Sequence, residues 1–88
     1  MVKSPETAYV MINCEMGCES SVAEELKSIT GITEIECTVG TYDIIAKIEV
    51  VSVDSLREII AFKIRKIGKV LSTTTVMCTG SITQAIAQ

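Results

Sequence analysis

Asp43 is the residue most in need of a chemical explanation. It sits in TVGTYDII, residues 38–45, where two β-prone apolar runs meet at Gly40. Strands disfavour aspartate, so a carboxylate at the mouth of an apolar hairpin calls for a reason. Two accounts compete. In the first, Gly40 supplies the positive φ that a tight turn needs, and Asp43 hydrogen-bonds turn backbone nearby. In the second, the hairpin tip is a small pocket whose exposed backbone N–H groups hold a carboxylate while Asp43 pairs with an ammonium. An α-amino acid carries both groups.

A second constellation is Cys14-Glu-Met-Gly-Cys18. Two thiolates at a strand-to-helix turn suit a soft metal such as Cu(I) or Zn. The spacing is one residue longer than Cys-x-x-Cys, and a thiolate pair is an incomplete zinc site. The competing account is a buried strand-end Cys14 and an incidental loop Cys18, with Cys37 and Cys78 as small core hydrophobes. Histidine is absent, which removes the commonest general base and the commonest metal ligand together. No phosphate-cradling glycine loop and no nucleophile–base pair is present, and Asp43 with Glu49 does not make an acid–base site. The chain therefore reads as a non-enzyme that needs no cofactor.

These residues must be positioned by one small domain, since the chain has 88 residues. Hydrophobic residues make up 48% of it and mean hydropathy is +0.43. That is more apolar material than one small core requires, yet no run approaches the ~20 residues of a bilayer span. The N-terminus carries no secretory signal, which predicts a cytoplasmic protein with reduced thiols. The surplus apolar surface predicts an oligomer. Eight basic against eleven acidic residues, with few aromatics, speaks against direct nucleic-acid binding.

The elements follow from periodicity. Residues 1–7 read as a flexible lead-in. Ala8–Cys14 is predicted as a strand apolar on both faces, and EMGCES as a turn. Ser20 or Ser21 is a candidate cap for a helix whose stripe is Val22, Leu26 and Ile29, ending at Thr30-Gly31. Ile32–Val39 alternates, with Ile35, Cys37 and Val39 on one face. Gly40-Thr41 predicts a two-residue type II′ turn into a strand over 42–51. Ser52 is a candidate cap for a second helix carrying Val53, Leu56, Ile60, Ile64 and Ile67 in one arc, with Lys63, Arg65, Lys66 and Lys69 at its end and Gly68 closing it. Phe62 falls on the opposite side of that helix, where flanking Ile59 would widen an apolar patch. Val70–Cys78 is a threonine-rich last strand, and 79–88 a tail that is irregular or a short extra element.

The order β-α-β-β-α-β predicts an α+β, ferredoxin-like fold: a four-stranded antiparallel sheet with two helices on one face. The other face, apolar and uncovered, predicts docking onto a second copy, sheet to sheet.

Residues 8–78 resemble the effector-binding domain of the Lrp/AsnC transcription regulator family, the "regulation of amino acid metabolism" domain. The resemblance rests on AYVMI, on VAEELKSITGITEIECTVGTYDIIAKIEV, on LREIIAFKIRKIGKV and on STTTV. Its most specific piece is glycine-x-tyrosine-aspartate between two strands, followed by Val70, Thr73 and Thr75 in the last strand. The family often has proline-glycine where this chain has Thr30-Gly31 and Ile67-Gly68. Only seven residues precede the first predicted strand, so the chain resembles the stand-alone members, which lack a DNA-binding domain. The resemblance implies protomers paired through their sheets into a dimeric α/β barrel-like assembly, and dimers joined into larger oligomers. It also implies an amino-acid effector between dimers, with Gly40, Thr41, Tyr42 and Asp43, and less centrally Thr73, Thr74 and Thr75, at the site. The expectation of hetero-assembly with full-length regulators rests on the missing DNA-binding domain alone.

Overall fold

A computed structural model describes residues 6–78 of the chain. Its elements, in order, are β1 (Glu6–Cys14), α1 (Glu19–Lys27), β2 (Ile32–Cys37), β3 (Ile44–Val50), α2 (Val53–Glu58) and β4 (Val70–Met77). Between α2 and β4 the helix continues as a π-helical segment, Ile59–Ile64. The strands form one antiparallel sheet in the order β2-β3-β1-β4. This is the ferredoxin-like α+β fold that the element order predicts. The expectation for 79–88 lies outside the described residues. The first strand begins at Glu6, because Glu6 and Thr7 pair with Val50 and Glu49.

Strand alternation sorts the sheet into two faces. Ala8, Val10 and Ile12 of β1, with Ile44, Ala46 and Ile48 of β3, point to the helical layer and are completely buried. They pack with Val22 and Leu26 of α1, with Leu56, Ile59 and Ile64 of the second helical stretch, and with Ile67 just beyond it. Each fully buried aliphatic side chain of this kind contributes about 1.5–3 kcal/mol relative to exposure.

The second helix departs from the predicted arc for a local reason. Ser52 does cap it, its Oγ accepting from Ser55 N–H at 3.1 Å. Beyond Glu58 the backbone passes to π geometry, and Arg65 N–H donates to Ile60 O, five residues back, at 3.2 Å. Side chains five apart then share a face, so Ile59 and Ile64 are the buried pair, while Ile60 is only half-buried. Phe62 is 62% exposed as predicted, but buried Ile59 does not extend its patch.

The first helix also starts differently. Cys18, not Ser20 or Ser21, occupies the cap position, and no side chain caps the helix there. Cys18 N–H closes a turn onto Glu15 O at 3.0 Å, with Gly17 at φ +84°, a conformation glycine adopts without strain. Gly31 has a firmer requirement: at φ +106°, an added Cβ would lie 2.8 Å from Ile59 Cδ1 and 3.0 Å from Val50 Cγ1. Cys37 and Cys78, expected in the core, are exposed, because Cys37 ends the edge strand β2 and Cys78 lies just past the end of the edge strand β4.

The open face is less apolar than expected. Its centre is a contiguous patch: Tyr9 lies opposite Val76, and Met11 opposite Ile45. Beside it stands a charged row in which Lys47 approaches Glu34 and Glu49, each at 3.9 Å. Both faces of β1 and β3 carry apolar residues, but the outer strands contribute Glu34, Glu36, Ser72 and Thr74 to this side.

Candidate functional site

The β2–β3 connection is longer than a two-residue turn. Strand pairing stops at Cys37 and Ile44, so Val39 leaves the strand and is fully exposed. The loop is closed at its base by Thr38 N–H donating to Asp43 O at 2.9 Å and by Thr38 Oγ1 donating to Tyr42 O at 2.6 Å. Gly40 stands at the tip with φ +137°. A Cβ there would meet nothing, so glycine is required for conformation and not for space. Among the described residues, the amides of Val39, Gly40, Thr41 and Tyr42 make no backbone hydrogen bond.

Asp43 is half-buried, and its carboxylate makes no hydrogen bond within its own turn. Oδ2 accepts the Cys14 N–H at 2.9 Å, at the far end of β1. Asp43 N–H in turn donates to Ile12 O at 3.0 Å. Two hydrogen bonds thus pin the loop base to the last residues of β1. The aspartate is tolerated at the hairpin mouth because it takes over a backbone amide that β3 has stopped pairing. Its contact reaches 29 residues back along the chain, further than the local bond expected.

The last-strand threonines do not share one face. Thr73 and Thr75 lie opposite Ile12 and Val10, toward the helical side, while Thr74 lies opposite Met11 on the open face. Thr73 is half-buried and Thr74 and Thr75 are exposed. Ile44, Ile12 and Thr73 form one row across the sheet. The loop and Thr73 are therefore at the same end of the molecule, but β1 lies between them, and β3 and β4 are two strand spacings, about 10 Å, apart. One chain does not bring all seven candidate residues around one cavity.

Cys14 and Cys18 flank the Glu15–Cys18 turn. The Cys14 side chain belongs to the core and is 5% exposed. Burial pushes its thiol above the ordinary value of 9.0, and the nearby Asp43 carboxylate pushes it the same way. A soft metal binds the thiolate, which this environment disfavours. Among the described residues no group of three or more histidine, cysteine, aspartate or glutamate side chains is arranged to hold a metal. No helix among them is long and apolar enough to cross a membrane.

Two concavities escaped sequence reasoning. One, of about 410 Å³, lies between Arg65 and the start of β4, with Val70, Leu71, Ser72 and Thr73 in its wall. The other, of about 520 Å³, lies at the opposite end of the sheet, against Gly31, Val50, Ile59 and Lys63. Both depend on how a helix end meets a strand end. The basic cluster at Lys63–Lys69 was the available signal for the first.

Comparison with known proteins agrees with this architecture. The sequence model of the Lrp/AsnC ligand binding domain matches residues 7–86. The crystal structure of FFRP-DM1 shares 30% identity over 84% of this chain and 99% of its own, with a TM-score of 0.81. A hypothetical protein from Pyrococcus horikoshii, PHS023, shares 30% identity over 84% of this chain and 89% of its own, with a TM-score of 0.80. AsnC of E. coli shares 27% identity with a TM-score of 0.78 over 83% of this chain, which spans 50% of the AsnC chain. The Neisseria meningitidis regulator NMB0573, solved as an L-Met complex, shares the fold at 6% identity and a TM-score of 0.77. No curated protein matches the chain. The chain belongs to the family of Lrp/AsnC ligand-binding domains.

Proposed function

We propose that this domain binds a small amino acid at the loop formed by residues 38–43, in a site completed by a second protomer, and that occupancy shifts its assembly state. The observation that carries the reading is the loop itself. Its four tip amides have no backbone partner among the described residues, and they stand next to a fixed carboxylate. A carboxylate offers about four lone-pair positions, and the Cys14 amide occupies one. The remaining positions suit an ammonium, and the tip amides suit the α-carboxylate. The L-Met complex of the fold-sharing Neisseria regulator makes amino acids the first ligands to try.

Assembly enters because Thr73 and the loop are separated by β1 within one chain. The patch of Tyr9, Met11, Ile45 and Val76, rimmed by charged and hydroxyl side chains, has the apolar centre and polar border of a protein interface. Sheet-to-sheet pairing of two copies would cover it. Further association of dimers would bring loops and last strands of different protomers together. A ligand that favours one assembly shifts the population toward it. The same interfaces would admit full-length regulators of the family, and capture of such a regulator by the tagged domain tests that step. The free thiols of exposed Cys37 and Cys78 suit a reducing cytoplasm.

The test is a thermal-shift screen of the standard amino acids. A ligand at a hundred times its Kd stabilises by about 2.7 kcal/mol. In a domain this small each kcal/mol moves Tm by about 4–8 °C, so the expected rise is on the order of 10–20 °C for the cognate amino acid. Asp43→Asn should remove the rise while leaving the fold intact. A flat profile for every amino acid at concentrations above about 10 mM, a hundredfold over a 0.1 mM Kd, would overturn the proposal.

A further inference from the structure

We propose that the cleft between Arg65 and the start of β4 is a binding site for a small organic carboxylate that has an apolar body and no ammonium group. Two backbone irregularities converge there. The π-helical segment ends at Arg65, whose N–H bonds the carbonyl of Ile60. Across from it, β4 carries a bulge. Asn13 pairs with Ser72 and Cys14 with Val70, which leaves Leu71 as the extra residue, 65% exposed. Both π segments and bulges recur where a fold re-aims side chains at a functional site. Here they open a concavity of about 410 Å³, a size that fits a metabolite-scale ligand.

The wall has one charge type. Among the described residues Arg65 is its single ionisable one, and the rest are Val70, Leu71, Ser72 and Thr73. Arg65 Nε donates to Thr73 Oγ1 at 3.4 Å, which orients the guanidinium with a neutral partner. Among the described residues it makes no ion pair with any acid, unlike Lys27, Lys47 and Lys69. Four of its five N–H donors stay available, in the planar fork that matches a carboxylate. Lys66, next in the chain to Arg65, adds positive field. Val70 and Leu71 offer apolar surface, and Ser72 a hydroxyl. Among the described residues no acid lines the cleft to receive an ammonium, which sets it apart from the Asp43 loop. The inference rests on the amino-acid reading only through Thr73, which both sites would use.

The experiment follows backbone amide shifts of the uniformly ¹⁵N-labelled full chain during titration with 4-methyl-2-oxopentanoate, L-leucine and inorganic phosphate. The expected result is saturable movement of the amides of residues 65 and 70–73 with the oxo acid, and binding about tenfold weaker for leucine and for phosphate. Arg65 is exposed, so Arg65→Gln keeps the fold, and it should weaken the oxo acid about tenfold, as loss of a charge-assisted contact does. Asp43→Asn should leave that affinity unchanged. No saturable shift at these amides up to about 20 mM oxo acid would overturn the proposal, since even millimolar affinity would register there. Equal affinity for leucine or phosphate, or no effect of Arg65→Gln, would overturn it too. Amino-acid shifts confined to residues 38–43 report on the loop site alone, so the two readings fail separately.

Discussion

Replacing Asp43 separates its structural work from any work on a ligand. Its Oδ2 is 2.9 Å from the Cys14 amide, at a position where Cys14 is 5% exposed. Asp43→Ala leaves that N–H without its partner and removes a charge-assisted bond, worth about 1.5–3 kcal/mol. Asp43 is half-buried and water can reach part of the site, so the lower end applies, about 1.5–2 kcal/mol. With about 4–8 °C per kcal/mol, Tm should fall by roughly 6–16 °C. Asp43→Asn keeps an oxygen acceptor and gives up only the charge, so its loss should be about 0.5–1 kcal/mol. Differential scanning calorimetry reads the Tm values, and hydrogen exchange at the Cys14 amide reads the bond: fast in the alanine variant, protected in the asparagine one. Equal Tm for wild type and both variants, with the Cys14 amide equally protected, would refute the assignment of Asp43 as the pin between the loop and β1.

Three further outcomes test the account of the fold. Gly31→Ala should cost about 1–3 kcal/mol by urea denaturation, because the new Cβ meets Ile59 and Val50 at φ +106°, whereas Gly40→Ala, strained but unobstructed, should cost about 1 kcal/mol. Ile59→Ala should lose about 2–4 kcal/mol and Ile60→Ala distinctly less, an order that only the π geometry produces, since the two residues exchange roles on a regular α-helical wheel. Because the folded Cys14 pKa is raised above 9.0, the native state holds that proton more tightly than the unfolded chain does. Its contribution is complete below pH 9 and fades as pH climbs through the folded pKa, so urea midpoints should drop above pH 9 in wild type and less steeply in Cys14→Ala.

Much of the architecture was legible because it is written in periodicity. Alternation in ITEIECTV and the Ser52 cap each fix an element by local physics, and element order then leaves one common topology. Failures occurred where neighbours override local pattern. Glycine followed by threonine at the hairpin tip reads as a tight turn, but pairing stops at Cys37 and Ile44, since Asp43 turns back to β1. The helical wheel put Ile60 in the core because it assumes one period throughout, and a π segment has another. Cys37 and Cys78 are small and apolar, yet one ends an edge strand and the other lies just past the end of one. The candidate site was legible as a motif and not as a cavity. Gly40 to Asp43 share one loop, while the threonines of β4 split between faces and stand beyond β1. Strand order sets that separation, and residue spacing along the chain does not reveal it.

Sedimentation velocity over a range of protein concentrations, without and with the amino acid that gives the largest thermal shift, tests the central claim most directly. The account predicts a dimer or larger species of the 9.5 kDa chain, an increase or decrease of that species when the amino acid is added, and loss of association in Met11→Lys, which places a charge in the open-face patch. A single 9.5 kDa species at every concentration, unmoved by any amino acid, would contradict it.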